Sequence, residues 1–394
     1  MIVVGGFLMS SKTIIGMTGP FGSGCTYIAK TFLESAGYRY LSLSDILKSE
    51  FHDTDPPSRT AMQDLGNQLR EQDGADILAK KACEIIDHAE NDKWVIDSIR
   101  NTHEIELFKK RFGTFYVIAA WADQETRWKR VESKYERNRV SFDADDSRDS
   151  RENAETGQQV SLCYQMADII IINNKNIISP GTDEYTKLET VVRRYINIIE
   201  GIESFSPTEQ ETLMSMAYAN SMRSSCSQRK VGALIIDDYG NVFSSGYNEV
   251  PSSERPCKNT YGKCYRKYLR DKFSDELTSI IHDDEARQNI ANAVKKHFKM
   301  LDYCRALHAE ETAIVNMARL GGSKNLSNAT LYTTTYPCNL CANKIAQVGI
   351  RQLVYFEPYP QKEANLNLEA HKVKQIPFEG VTFNGYFRFM EVLR

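Results

Sequence analysis

His308-Ala309-Glu310, followed further along by Pro337-Cys338-Asn339-Leu340-Cys341, is the pair of stretches on which the reading of this chain turns. Cys338 and Cys341 stand at i and i+3, which puts both thiols on one face of a helix, and Pro337 presets the backbone angle of a first turn. The N-terminus of a helix favours negative charge and so helps keep thiols ionised as metal ligands. His308 and Glu310, at i and i+2, would diverge in mid-helix. They belong together at a helix mouth, with the run from Glu311 to Ala318 supplying the helix behind them. One imidazole and two thiolates leave the fourth tetrahedral position of a zinc ion for water, which marks a catalytic zinc rather than a structural one.

An H-x-E triplet with a P-C-x-x-C motif is the pattern of zinc-dependent base deaminases. Two thiolates neutralise the formal charge of zinc, so such a site acidifies water less than an all-histidine site and needs a proton shuttle. Glu310 is expected to take a proton from water, protonate the ring nitrogen of a cytosine and pass a proton to the departing ammonia. The competing reading is a structural Cys/His zinc knot with an incidental glutamate. A lone C-x-x-C would leave that standing, and the H-A-E triplet and the proline weigh against it.

A length of 394 residues suggests two or three domains. With 41% hydrophobic residues, 26% charged residues and a net charge of −3, the composition argues against a protein whose main business is gripping a polyanion. The opening Met1 to Met9 is apolar but lacks a basic leader, and no run approaches a membrane span, so a cytoplasmic location without membrane attachment is expected. Six of the nine cysteines fall between Cys226 and Cys341, which fits metal chemistry in a reducing compartment better than a disulfide framework.

Residues from about 12 to 200 read as alternating strands and helices, an α/β pattern. The apolar strand Thr13 to Met17 runs into Gly19-Pro20-Phe21-Gly22-Ser23-Gly24-Cys25-Thr26, and an amphipathic helix follows through Leu33. This is the context of a P-loop. Gly19, Gly24 and Thr26 match its fixed positions, but Cys25 stands where the phosphate-binding lysine belongs. Backbone amides around Gly22 and Ser23, with Thr26, remain able to cradle phosphate and Mg2+. Trp94 to Asn101 reads as a second strand carrying Asp97, Phe115 to Ala120 as a third, and Ile169 to Ile172 as a last buried one. Leu43 to Asp45, Arg59 to Arg70, Asp97 and Arg100 resemble the monophosphate side of nucleotide and dephospho-coenzyme A kinases. Arg127, Arg130, Arg137 and Arg139 form either a lid over that site or a solvated basic helix before the acidic run Asp143 to Asp149. Loss of the lysine removes catalysis more surely than binding, so a nucleotide-sensing or oligomer-building domain is expected ahead of a kinase. A helix from Glu184 to Ile199 leads to the stretch Gly201 to Pro207, where the boundary is placed: residues 1–204 and residues 205–394.

The second half runs in a recognisable order. A helix from Thr208 to Met222 precedes the hairpin Val231 to Ile236, Asp238-Tyr239-Gly240-Asn241, Val242 to Asn248. An insertion follows, then the His308 helix, the strand Ala329 to Thr334, the cysteine helix and the strand Gln352 to Phe356. Ser225 to Ala233, Gly246-Tyr247-Asn248, Cys257, His308-Ala309-Glu310, Pro337 to Cys341 and Gly349-Ile350 together resemble the deoxycytidylate deaminases of the zinc-dependent cytidine deaminase superfamily. The resemblance implies a P-loop kinase-like parallel-sheet domain followed by a cytidine-deaminase-fold α/β/α domain. It also implies deamination of dCMP, dCTP or both, as in bacterial antiphage deoxycytidylate deaminases that deplete nucleotide pools. Yeast-type dCMP deaminases have a similar N-terminal extension, so a housekeeping supply of dUMP is the other metabolic reading.

By the same resemblance Asn248 is a substrate-pocket asparagine, the alternative being a turn residue that caps a strand. Arg229 and Lys230 meet the nucleotide phosphates or are plain surface cations. Glu249 stands where many relatives have glycine, which puts the family's nucleotide-effector site in question. Some members of the family it resembles carry a second, structural zinc near the equivalents of Cys226 and Cys257, so Cys226, Cys257, Cys264 and Cys304 form either such a site, with His282 and His297 as alternative ligands, or a set of free thiols. Two further function classes stay open. A nucleic-acid deaminase wants a basic, aromatic-lined groove, whereas the insertion mixes Lys263, Arg266, Lys267, Arg270 and Lys272 with Asp271, Asp275, Glu276, Asp283, Asp284 and Glu285. A deaminase idled by its P-loop half, through an inhibitory small RNA or a phage-induced signal, is what the antiphage resemblance implies. The family also implies a homo-oligomer.

Overall fold

In a computed structural model of the chain, residues 2–4, 7–51, 58–150, 157–175, 179–297, 303–319, 321, 326, 328–358 and 362–391 are described. The chain forms two compact units, Met1–Glu211 together with Glu379–Arg394, and Thr212–Phe378.

The first unit is built on β1 (Ile2–Val4), β2 (Phe7–Thr18), β3 (Arg39–Ser42), β4 (Lys93–Ile99), β5 (Phe112–Trp121) and β6 (Ile169–Ile172). β1 pairs antiparallel with β2, while β2 to β6 run parallel in the order β6-β5-β2-β4-β3. Parallel strands need crossover connections, and each one here carries helix. The apolar runs explain the sheet. Ile14, Ile15, Val95, Ile96, Val117, Ile118 and Ile169 to Ile171 are all buried, as strands covered on both faces must be. The helix after the glycine loop begins at Cys25 and widens to π geometry over Ala29–Leu33, a local adjustment common beside functional sites.

The second unit has β7 (Gly232–Ile236), β8 (Val242–Tyr247), β9 (Thr330–Thr335), β10 (Gln352–Glu357) and β11 (Lys374–Pro377), in the order β11-β10-β9-β7-β8. β7 and β8 form the expected hairpin, with Gly240 at a positive φ of 84° in its turn. Helix Ala309–Arg319 comes after β8 and the helices Cys257–Tyr261, Tyr265–Ile280 and Asp284–His297, helix Asn339–Gln347 follows the end of β9, and β9, β10 and β11 run parallel. Helix Ala309–Arg319 lies directly on β8. A Cβ at Gly246 would sit 2.2 Å from the Ala309 carbonyl oxygen and 2.3 Å from the Ala313 nitrogen. Ser244 Oγ donates to Ala313 O at 2.7 Å and Asn316 Nδ2 to Ser245 O at 2.9 Å, which locks the helix to the strand.

One expectation is corrected. Residues 205–394 are not a single unit, because β12 (Gly380–Val381) pairs antiparallel with β6 and completes the first unit's sheet. The physical reason is a polar knot that the alternation pattern does not carry. Arg388 donates to Asp168 Oδ1 at 2.7 Å and to Phe115 O at 2.7 Å, Thr382 Oγ1 donates to Ala167 O at 2.7 Å, and the Phe389 ring stacks on Tyr116 at 4.8 Å. Glu211 ties the knot from the other side, accepting from Val381 N at 2.8 Å, from Thr208 N at 2.7 Å and from both terminal nitrogens of Arg194 at 2.9 Å. Among the described residues no helix is long and apolar enough to cross a membrane.

Burial pushes the Glu211 carboxyl up, but the bonds from Arg194 and from the Val381 and Thr208 amides outweigh it, and its pKa lies below the ordinary 4.5. A carboxylate depressed in the folded state contributes stability that is whole above the unfolded pKa and is lost as pH falls below 4.5. Glu211→Gln should therefore cost about 2 kcal/mol at pH 7 and flatten the acid limb of a plot of unfolding free energy against pH; an unchanged acid limb would contradict this account.

Candidate functional site

Helices Ala309–Arg319 and Asn339–Gln347 both open at one place, and the residues at their mouths form the site. His308 immediately precedes the first, and its carbonyl accepts from Thr312 N at 2.8 Å. Cys338 caps the second with extended backbone (φ −72°, ψ 168°), and Cys341 sits buried in the first turn. Pro337 thus lies outside the helix rather than in its first turn, which turns the Cys338 thiol back over the open end. His308 Nδ1 lies 3.3 Å from Cys338 Sγ and 3.5 Å from Cys341 Sγ. Zinc bonds of about 2.3 Å to sulfur and about 2.0 Å to nitrogen place tetrahedral donors about 3.5 Å apart, so the three groups fit one zinc ion.

Proton sharing supports the same use. His308 is pushed up to about 10 by its bond with Cys304, with Cys338 and Glu310 adding to it. Cys338 is held well below the usual thiol range by the hydrogen bond from Cys341 and by His308, while Cys341, which supplies that proton, is held well above it. A cation is what this cluster of basic and ionised donors would take in place of its protons. Glu310 follows in the first turn and is 4% exposed; burial raises its carboxyl pKa, only partly offset by its own backbone N–H and by His308. A cavity of about 220 Å³ opens beside His308 and Cys341, walled by Cys304, Arg305, Glu311 and Lys344.

Among the described residues, His308, Cys338 and Cys341 are the one group of three histidine, cysteine or acidic ligand atoms lying within 4.8 Å of one another. The alternative second zinc cluster of Cys226, Cys257, Cys264 and Cys304 is not assembled there. Cys304 is spent on His308, and Cys264 is buried at the start of helix Tyr265–Ile280. The side chain of His297 lies outside the described residues.

Asn248 is 8% exposed, and its side chain serves the scaffold: Oδ1 accepts from Val231 N at 2.7 Å and Nδ2 donates to Arg229 O at 2.8 Å. Arg229 pairs with Glu357, and Lys230 donates to Met222 O at 3.3 Å. Glu249, unforeseen as a contact residue, accepts from Ser225 N and Oγ at 2.7 Å and bridges to Leu307 through its backbone, one residue from His308.

The first unit holds a second cavity, of about 940 Å³, around the glycine loop. Two glycines there are required. A Cβ at Gly19 (φ 151°) would meet Ala120 O at 2.1 Å, and one at Gly24 (φ 98°) would meet Asn173 Nδ2 at 2.4 Å. Gly22, Ser23, Gly24, Cys25 and Thr26 line the cavity with Asp97. Thr26 Oγ1 and Tyr40 Oη both donate to Asp97 Oδ2, at 2.6 and 2.9 Å. Cys25 turns its thiol to Thr18 O at 3.1 Å, and burial, with the Asp97 charge, pushes it up to about 12, so it brings no charge where lysine would. Of the four arginines read as a lid, Arg130 alone lines the cavity, donating to Gly22 O and Ser23 O at 3.0 and 3.3 Å. Arg127 is locked to buried Asp146, and Arg139 pairs on the surface with Glu125 and Asp143. Arg59 and Arg100 also line the cavity, both held by buried Asp149.

Comparison with known proteins accords with this geometry. The family described as cytidine and deoxycytidylate deaminase zinc-binding region matches residues 207–357, and an AAA domain family matches residues 18–148. The deoxycytidylate deaminase of Enterobacteria phage T2 is 31% identical over 186 residues, covering 43% of this chain and 95% of that protein. That of Schizosaccharomyces pombe is 30% identical over 183 residues, 46% of this chain and 45% of its own length. A UPF0200 protein of Methanothermobacter thermautotrophicus is 30% identical over 172 residues, 43% of this chain and 83% of that protein.

Two substitutions test the centre by metal analysis of purified protein. Cys338→Ser should remove bound zinc while leaving the chain folded, and Gly246→Ala, which forces helix Ala309–Arg319 off β8, should lower zinc content and cost about 1–3 kcal/mol. Full zinc occupancy in both would refute the placement.

Proposed function

Because the chain belongs to the deoxycytidylate deaminase family, we propose that it is a cytoplasmic zinc hydrolase that converts dCMP and dCTP to dUMP and dUTP, depleting deoxycytidine nucleotides in antiphage defence. The observation that carries the chemistry is the buried Glu310 carboxyl set one turn-start from the His308, Cys338 and Cys341 donors. Zinc held by those donors supplies the Lewis acidity that makes water nucleophilic near neutral pH. Glu310 does the proton work. Its carboxylate accepts one proton from water and delivers it to the pyrimidine ring nitrogen as oxygen bonds to C4, then takes the second proton from that oxygen and hands it to the amino group, whose bond to C4 breaks as ammonia leaves. A carboxyl raised by burial suits both halves of that task, since it binds a proton more tightly than an exposed one and still gives it up.

The defence role takes its support from the architecture, in which a P-loop unit accompanies the deaminase. That unit binds nucleotide with Mg2+ near Thr26 and Asp97 without transferring phosphoryl groups, because Cys25 is neutral. A homo-oligomer and an inhibitory small RNA belong to the same reading. One observation favours a second reading, deamination within single-stranded nucleic acid. Tyr261, Tyr265 and Tyr268 cluster with centroids 4.7 to 6.2 Å apart, and Arg305 and Lys272 lie over Tyr261 and Tyr268.

Purified protein should deaminate dCMP and dCTP faster than CMP, CTP or a cytosine-containing oligonucleotide, and Glu310→Ala should retain zinc while losing at least about 10²-fold in kcat. Turnover of dCMP alone would shift the reading to housekeeping supply of dUMP, turnover of the oligonucleotide alone would establish the second reading, and an active Glu310→Ala variant would overturn the mechanism.

A further inference from the structure

Below their mouths, the two ligand-bearing helices share one buried apolar cluster, to which Ala313 and Met317 of one and Ala342 and Ile345 of the other belong. Packing of that kind holds helices together but does not set their mouths to the few tenths of an ångström that a metal tolerates. Polar bonds at the mouth do the finer work. Leu307 is gripped by Glu249, accepting from Glu249 N at 3.2 Å and donating to Glu249 O at 3.0 Å. The His308 carbonyl is taken by Thr312, through N at 2.8 Å and Oγ1 at 2.9 Å. The His308 amide goes to Glu311, whose Oε2 accepts from it at 3.4 Å. This is half of a capping box, in which a glutamate at the third helical position reaches back to the backbone of the capping residue. The His308 ring is turned to the thiols instead of back to the helix amides. The other Glu311 oxygen, Oε1, pairs with Lys344 Nζ at 3.0 Å, and Lys344 lies on the cysteine helix one turn beyond Cys341.

We propose that Glu311 is a positioning residue for the metal centre: with one oxygen on the His308 amide and the other on Lys344, it holds the histidine donor in register with the two thiols and so sets how tightly the site takes zinc. Its task differs from that of its buried neighbour Glu310, which moves protons. Magnitudes separate positioning from plain stabilisation. The Lys344 and Glu311 side chains are 40% and 24% exposed, and an ion pair that open adds little to folding. Groups that orient metal ligands, by contrast, change metal affinity by about 10- to 100-fold when removed. Loss of Glu311 is therefore felt by the metal far more than by the fold. The role rests on the metal reading above.

Purified full-length protein is equilibrated with a chromophoric zinc chelator, and the zinc it retains gives the affinity; the visible bands of the cobalt-exchanged protein report the donor geometry. Glu311→Ala should hold zinc at least about tenfold more weakly and shift the cobalt bands, while its circular dichroism stays that of the wild type. Lys344→Met keeps the carboxylate on the His308 amide but releases the cysteine helix, and should weaken zinc by about threefold or more. Lys344→Arg restores a cation for Glu311 and should match the wild type in both readouts. Should Glu311→Ala fail to fold, the two Lys344 variants decide the matter. Wild-type zinc affinity in Glu311→Ala or in Lys344→Met, or equal losses in Lys344→Met and Lys344→Arg, would overturn the proposal. A wild type that retains no zinc at any chelator concentration would fault the metal reading, and this role with it.

Discussion

The absence of a side chain at Gly246 is the constraint from which the metal site follows. Helix Ala309–Arg319 rests its backbone on β8 at distances no Cβ tolerates, and the small residues Ala309 and Ala313 face that contact. With the helix seated, its first residue and the histidine before it have nowhere else to be. The second helix starts from the end of β9, a strand in the same sheet, so its mouth opens beside the first. Ligands gather outside the carboxyl ends of strands in such sheets for this reason. Three donors and a buried carboxyl are then brought together by backbone geometry.

That economy explains what the sequence shows and what it hides. The donors are legible because their chemistry restricts residue type at fixed spacing, and His308, Glu310, Cys338 and Cys341 fall where H-x-E and P-C-x-x-C put them. The detail of the caps is not legible: whether Pro337 opens the helix or stands just outside it depends on a backbone choice at Cys338 that spacing leaves free. Asn248 shows a different limit. Its position beside the site is readable from the Gly-Tyr-Asn motif, but both polar ends of its side chain are engaged by the backbone of residues 229 to 231. An amide suits a strand end as well as a sugar, so composition cannot say which use prevails. The four outlying cysteines fail as a cluster for a related reason. Cysteine is a good small core residue, and without a C-x-x-C spacing nothing forces a thiol to meet another.

The glycine loop has the shape of a phosphate cradle without the lysine's charge. Gly19 and Gly24 sit at positive φ, hard against Ala120 and Asn173, so the loop keeps its curvature independently of the residue that would contact phosphate. Cys25 occupies the lysine's place with a neutral thiol turned to the loop's own backbone. Cations remain at the cavity in Arg59, Arg100 and Arg130, but the first two share a buried carboxylate and the third binds carbonyls. Their fields still favour an anion, because a guanidinium held by one carboxylate keeps unspent donors and its charge is only partly offset. Binding and turnover therefore come apart here: the surroundings suit a phosphate, while the group that follows charge developing in a transition state is gone.

The strand least visible in the sequence does the most to define the architecture. β12 is two residues long and follows immediately on a strand of another sheet, so neither periodicity nor a linker announces it. Its partner β6 is a run of four isoleucines that reads correctly as a buried strand and gives no sign of which strand lies beyond it. A buried strand must have its backbone groups satisfied, and those that do so on this side, the backbone of β12 and the Glu379 carboxylate on Ile172 N, lie more than two hundred positions away. No local pattern reports a pairing at that separation. The consequence is topological: residues 212–378 are an insertion within the first unit, joined to it at both ends. Within the first unit, Glu211 and Glu379 hold the returning chain, accepting from Val381 N and from Ile172 N.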